Sequence, residues 1–166
     1  MNKLTLCLFL LISNYSFSQS GGYYNNLDSA LSNPKQVITL DLSKQKLKEV
    51  PSKIILFENL ERLILKRNRI KEIPKELSSL TKLHYIDISS NYINEMPKEL
   101  SSLTLDTLIM WDNKLREFPL EYERMGQSLL YLDLRAIQMT KKEQKQIKKL
   151  FPKAKIRLAP YCNCNR

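Results

Sequence analysis

The chain is short of the residues that most catalytic sites are built from. It has three glycines in 166 residues, so no glycine-rich loop can cradle a phosphate. It has one histidine, His84, and no nucleophile is spaced to pair with it. Ser-His-Asp and Cys-His catalysis are therefore not expected, and His84 is read as a surface or packing residue. There are three cysteines, Cys7, Cys162 and Cys164. Cys162-Asn-Cys164 offers two thiolates without further ligands nearby, so no metal site is expected, nor any cofactor. Two cysteines one residue apart close only a small, strained ring. A thiol oxidoreductase using this pair would need a depressed thiol pKa, for which the sequence supplies no cause. No apolar run approaches the roughly 18 residues that a membrane-spanning helix requires.

What is present begins with a segment that resembles a secretory signal. Lys3 supplies a positive start, Leu4 to Ile12 form a short apolar stretch, and the small residues Ser16 and Ser18 precede Gln19. Cleavage is expected after Ser18, leaving a secreted, periplasmic or cell-surface chain of bacterial appearance. Cys7 lies within the apolar stretch, which argues against lipid anchoring. The net charge is +10 and the pI about 9.5, which permits contact with acidic polymers or surfaces. No nucleic-acid motif accompanies the charge, so nucleic acid is not expected as a partner.

Residues 19–36 read as a leader followed by a cap. Gln19 to Asn25 look loose. Asn26 to Ser32 reads as a short helix with Leu27, Ala30 and Leu31 on one face, stopped by Asn33-Pro34.

A repeat then begins. Its spacing is clearest at Leu60-x-x-Leu63-x-Leu65-x-x-Asn68-x-Ile70. It recurs as Val37-x-x-Leu40-x-Leu42-x-x-Gln45-x-Leu47, as Leu83-x-x-Ile86-x-Ile88-x-x-Asn91-x-Ile93, and as Leu105-x-x-Leu108-x-Met110-x-x-Asn113-x-Leu115. A fifth copy starts Leu129-x-x-Leu132-x-Leu134-x-x-Ile137-x-Met139. Pro51, Pro74, Pro97 and Pro119 close the first four at intervals of 23, 23 and 22 residues. Within each copy the alternation is that of a strand, and one copy cannot bury its own leucines, so neighbours must stack. Leu77-x-x-Leu80 and Leu100-x-x-Leu103 are spaced to line an outer wall.

The pattern resembles the leucine-rich repeat family in its form of about 23 residues, over residues 37–139. The resemblance implies an α/β solenoid, with parallel strands on a concave face and short helices or turns on the convex face. It implies asparagines that bond the backbone of adjacent turns, and a non-catalytic role in protein binding. Gln45 and Ile137 replace asparagine at the two ends, where the ladder should weaken. Residues 140–166 read as a C-terminal cap and Cys-x-Cys tail. Thr140-x-x-Glu143 looks like a capping box before a helix from Glu143 to Leu150, and Lys155 to Leu158 fits a last strand.

The positions between the core leucines fall into columns across the strands. One runs Thr39, Arg62, Tyr85, Thr107, Tyr131; the next Asp41, Ile64, Asp87, Ile109, Asp133; the third Ser43, Lys66, Ser89, Trp111, Arg135. Arg62, Ile64, Lys66, Tyr85, Asp87, Ile109, Trp111 and Tyr131 are the expected contact residues for a protein ligand, with Arg67 and Arg69 flanking them. Tyr85 is also placed to pair across strands. The alternative function is electrostatic adhesion to an anionic glycan or cell surface through Lys141, Lys142, Lys145, Lys148, Lys149, Lys153, Lys155 and Arg157 in the cap.

Overall fold

The computed structural model describes residues 20–161. Seven strands form one parallel sheet in chain order: β1 (Tyr23–Tyr24), β2 (Thr39–Asp41), β3 (Arg62–Ile64), β4 (Tyr85–Asp87), β5 (Thr107–Ile109), β6 (Tyr131–Leu134) and β7 (Lys155–Leu158). The inward residue of each central strand, Leu40, Leu63, Ile86, Leu108 and Leu132, is at most 2% exposed. Beneath the sheet these leucines meet the opposite wall, a series of 3-10 turns at Ser52–Leu56, Lys75–Ser79, Lys98–Ser102 and Leu120–Glu123. Each turn begins directly after one of the four repeat prolines. The fixed φ of proline sets the entry, and the turn then drops Ile54, Leu77, Leu100 or Tyr122 into the core.

The strands are short because the chain must turn at once. Asn68, Asn91 and Asn113 are buried at that corner, where backbone groups have no water. The Oδ1 of Asn91 accepts from the amide of Ile70 at 3.0 Å, and its Nδ2 donates to the carbonyls of Leu65 and Ile88, both at 3.0 Å. Asn68 and Asn113 repeat the arrangement toward Leu47 and Ile93. At the N-terminal end Gln45 is exposed and donates outward to the Asn25 carbonyl. At the other end the Ile137 side chain has no acceptor to offer. Just before each corner one residue takes a left-handed backbone: Lys44 (φ 60°), Arg67 (57°), Ser90 (51°), Asp112 (57°) and Ala136 (58°). None is glycine, so every repeat carries local strain of about 1 kcal/mol at this position.

The two ends close the core differently. The expected loose leader holds a strand: β1 pairs with β2, Tyr24 is buried, and the amide of Ile38 donates to the Gly22 carbonyl at 2.9 Å. Two residues are too few to show a period, which is why the sequence does not announce this strand. Helix α1 (Leu27–Ser32) follows, with the Asn26 side chain accepting from the amides of Asp28 and Ser29. At the C-terminal end helix α2 (Lys141–Leu150) starts two residues before Glu143, because Thr140 is its cap and Glu143 its third residue. Phe151 packs edge-on against Phe118, 5.1 Å between centroids, and Tyr122 completes the cluster. The Tyr122 hydroxyl donates to the Pro97 carbonyl at 3.0 Å, and burial pushes its pKa up, with Glu99 adding to the effect.

Candidate functional site

The outer face of the sheet carries the columns as in-register rows. Arg62 pairs with Tyr85, Tyr85 with Thr107, and Thr107 with Tyr131, while Ile64 pairs with Asp87, Asp87 with Ile109, and Ile109 with Asp133. Strand β7 extends both rows by placing Lys155 beside Tyr131 and Arg157 beside Asp133. Adjacent strands lie about 4.8 Å apart, so each row is a line of touching side chains.

The acidic members of these rows face the protein's own turns. Asp87 is 7% exposed, and its Oδ1 accepts from the Ser89 amide at 3.0 Å and the Ser89 hydroxyl at 2.5 Å. Asp41 holds the amide and hydroxyl of Ser43 in the same way, and its second oxygen accepts from the Tyr23 hydroxyl. Asp133 is 2% exposed and is bound by Arg135 through Nε at 2.9 Å and Nη2 at 2.7 Å. Burial raises the Asp133 pKa, but the hydrogen bonds and charge of Arg135, helped by Arg157, outweigh it and hold it below the ordinary carboxylate value. Asp87, expected as a contact residue, is therefore an internal fastener. The signal was in the sequence: Asp-x-Ser at the end of a strand is an Asx turn.

Two further expected contact residues are occupied with each other. The Arg62 guanidinium lies over the Tyr85 ring at 3.7 Å from its centroid. Burial, followed by the nearby Asp87 charge, raises the Tyr85 pKa against the opposing effect of Arg62. The cross-strand pairing of Tyr85 thus has a definite partner. Five expected residues remain: Ile64, Lys66, Ile109, Trp111 and Tyr131, all half-buried. The Tyr131 hydroxyl reaches Asp133 at 3.4 Å. Ser89, between Lys66 and Trp111 in the third row, is fully buried.

At the strand ends of the outer face, positive charge is concentrated on the first two repeats. Lys44, Lys46, Arg67 and Arg69 are exposed and Lys66 is half-buried, all at or just past the ends of β2 and β3. Among the described residues the one ion pair is Arg135 with Asp133, so none of these five cations has a carboxylate in contact. Lys46 shares the left-handed backbone of Lys44, at φ 59°. The corresponding positions further along are Ser90, Tyr92, Asp112, Lys114, Ala136 and Gln138. Tyr92 is exposed, with Lys114 over its ring at 5.4 Å. His84 lies on the turn into β4, its Nδ1 facing the Lys82 carbonyl at 3.4 Å. No group of three or more His, Cys, Asp or Glu side chains could hold a metal among the described residues. Cys162 and Cys164 lie outside the described residues, as do the proposed signal and Cys7.

A family model for the leucine-rich repeat matches residues 35–93 and 58–115. Those residues hold strands β2 to β5 and the corners at Asn68, Asn91 and Asn113. The described residues fold as a leucine-rich-repeat solenoid. Solved structures of the same fold include an internalin from Listeria monocytogenes str. 4b F2365, at 16% identity and TM-score 0.59 over 81% of this chain and 50% of that one. Internalin C2 of the same organism matches at 24% identity and TM-score 0.64, over 83% of this chain and 57% of that one. This solenoid thus spans about half the length of each, and the likeness speaks to fold alone. No curated protein matches the sequence. Solenoids of this kind commonly serve as protein-interaction modules, because stacking repeats create an extended concave surface. No helix among the described residues is long and apolar enough to cross a membrane.

Proposed function

We propose that the solenoid is a non-catalytic module that binds a protein partner on the outer face of its sheet, centred on Ile64, Ile109, Trp111 and Tyr131. The observation that carries this is the sorting of that face. The row acids Asp41, Asp87 and Asp133 are consumed by the protein's own turns, while the apolar and aromatic side chains on or just past β3, β5 and β6 stay half-exposed without any core to serve. Large apolar groups with a charged surround are the composition of contact surfaces. The test is a double substitution, Ile109→Ser with Trp111→Ser, in affinity capture from the producing cell's surface and surroundings. The variant should keep its circular dichroism and lose the partner. A folded variant that still captures it would place the site elsewhere.

The C-terminal cap supports a second reading, adhesion to an anionic glycan. Five exposed lysines sit on the ten-residue helix α2, and Glu143, its one acid, is tied into the capping box. This reading requires retention on heparin that falls with salt and disappears when Lys141, Lys142, Lys145 and Lys148 become Gln. Both readings take the protein to act outside the cytoplasm, which the N-terminal sequence of the exported chain tests by starting, or not starting, at Gln19.

A further inference from the structure

We infer that the partner presents a short extended segment, acidic at one end and apolar at the other, laid across the strands with its acidic end on the first two repeats. This rests on the reading of the outer face as a protein-binding surface and adds the chemistry of what binds there.

The argument starts from uncompensated charge. Lys44, Lys46, Lys66, Arg67 and Arg69 crowd two adjacent repeats, and none makes an ion pair. The acid nearest in the rows, Asp41, spends both oxygens on Ser43 and Tyr23. Like charges in neighbouring rows repel, and folding leaves that repulsion unrelieved. Asp133, paired with Arg135, shows what a matched charge on this face looks like. Over the first two repeats the positive charge remains available to an outside anion.

Further along the same face, before Lys155 and Arg157 of β7, the character changes. Ile109 and Trp111 lie on and just past β5, two strands from Lys66. Two to three strand spacings of about 4.8 Å separate the cations from this apolar pair, so the span is roughly 10–14 Å. An extended chain rising about 3.3 Å per residue covers it in four or five residues. A polyanionic glycan satisfies the cations and can lay a sugar face on Trp111, but it offers no large apolar group to Ile109 beside it. A peptide with acidic residues followed by a large apolar one satisfies both.

Trp111 is the chain's one tryptophan, so its emission reports on this site directly. The experiment selects random linear peptides displayed on phage against the whole chain. The enriched peptides are then synthesised and titrated while Trp111 fluorescence is followed. Enriched sequences should carry an excess of Asp and Glu with an apolar residue four or five positions away. Their binding should weaken with added salt, and Lys66→Glu with Arg67→Glu should reduce it by about tenfold or more. Ile109→Ser should weaken binding and leave the salt dependence unchanged. Several results overturn the inference. Peptides without an acidic excess that still need Ile109 would do so while sparing the wider reading of the face. Acidic peptides indifferent to Ile109→Ser, or lost when Lys141, Lys142 and Lys145 become Gln, would sink both. A heparin fragment that shifts Trp111 emission as strongly as the peptides, or a selection that enriches nothing, also refutes it.

Discussion

Replacing Asn91 by alanine tests the internal ladder most sharply, because the loss can be counted group by group. The side chain serves four backbone groups: the amide of Ile70 and the carbonyls of Leu65, Ile88 and Ser89. The three carbonyls have other donors. Leu65 also accepts from Asn68, Ile88 from Asn113, and Ser89 from the Arg67 amide. The Ile70 amide has no second acceptor, and Ile70 is fully buried. An orphaned buried amide costs about 1–3 kcal/mol. The two Nδ2 protons, shared over the three carbonyls, add about 0.5–1 kcal/mol each, at the low end of the usual net value, since their acceptors stay partnered. The expected loss is therefore about 2–5 kcal/mol, with the lower figure applying if water enters the space left behind.

The matching control is Gln45→Ala. Gln45 occupies the same position in the first repeat, but it is exposed and makes one bond, to the Asn25 carbonyl. Its loss should cost under about 1 kcal/mol. Urea unfolding of the two variants beside the parent gives both numbers. Amide exchange adds a local reading, since the Ile70 amide should lose protection in Asn91→Ala before the rest of the sheet. Equal costs for the two substitutions, or an Asn91→Ala loss under about 1 kcal/mol, would refute the count of dependent groups.

Three further outcomes follow from the same geometry. Ala136→Gly should raise stability by about 0.5–1 kcal/mol: relief of the left-handed strain, about 1–2 kcal/mol, exceeds the extra backbone entropy of glycine. A lower unfolding midpoint would contradict that strain. Gly126→Ala should lose about 2–3 kcal/mol, because an added Cβ would stand 1.8 Å from the Leu150 carbonyl oxygen, with backbone on both sides of the clash. A neutral effect would mean that the turn at Met125–Gln127 does not press on the end of α2. Asp133 has a folded pKa below its ordinary 3.8, so its contribution is complete above that value and fades as pH falls through the folded value. Asp133→Asn should therefore flatten the acid limb of the stability curve and leave the alkaline limb alone. An unchanged acid limb would show that Arg135 does not hold this carboxyl.

The scaffold was legible because it is periodic. Leu63 and Leu65 announce a strand, Pro74 announces its exit, and the same letters return often enough to outweigh local noise. The meaning of Asn68 and Asn91 came through family resemblance, and their bond partners bear it out. What periodicity does not encode is what a side chain does after it faces outward. Arg62 and Tyr85 were placed on the correct face, but their stacking depends on the distance between two rotamers across a strand pair. The left-handed residues were invisible for a related reason. Lys44, Arg67 and Ala136 are not turn formers, and the amides of Lys44 and Arg67 are tied to carbonyls of the next repeat, at Lys66 and Ser89, which no local pattern encodes.

Asp87 shows where a closer reading would have gone further. Its column alternates acid with isoleucine, Asp41, Ile64, Asp87, Ile109, Asp133, and alternation alone makes all five look equally displayed. The residue two places on separates them. Asp41 and Asp87 are each followed by a serine that closes an Asx turn, and Asp133 by an arginine that clasps it. After Ile64 and Ile109 come Lys66 and Trp111, which have no such turn to close. The acids also sit two strands apart, about 10 Å, so each can be held at its own turn without repelling another directly. The face is thus built from two kinds of repeat in alternation. One kind fastens the strand end to its corner and sets the rigidity of the platform. The other leaves a cation or an aromatic ring at the same position, free of that duty. In this solenoid the pair of residues at a strand's outward end, taken together, separates repeats that fasten their own turn from repeats that leave those side chains outside it.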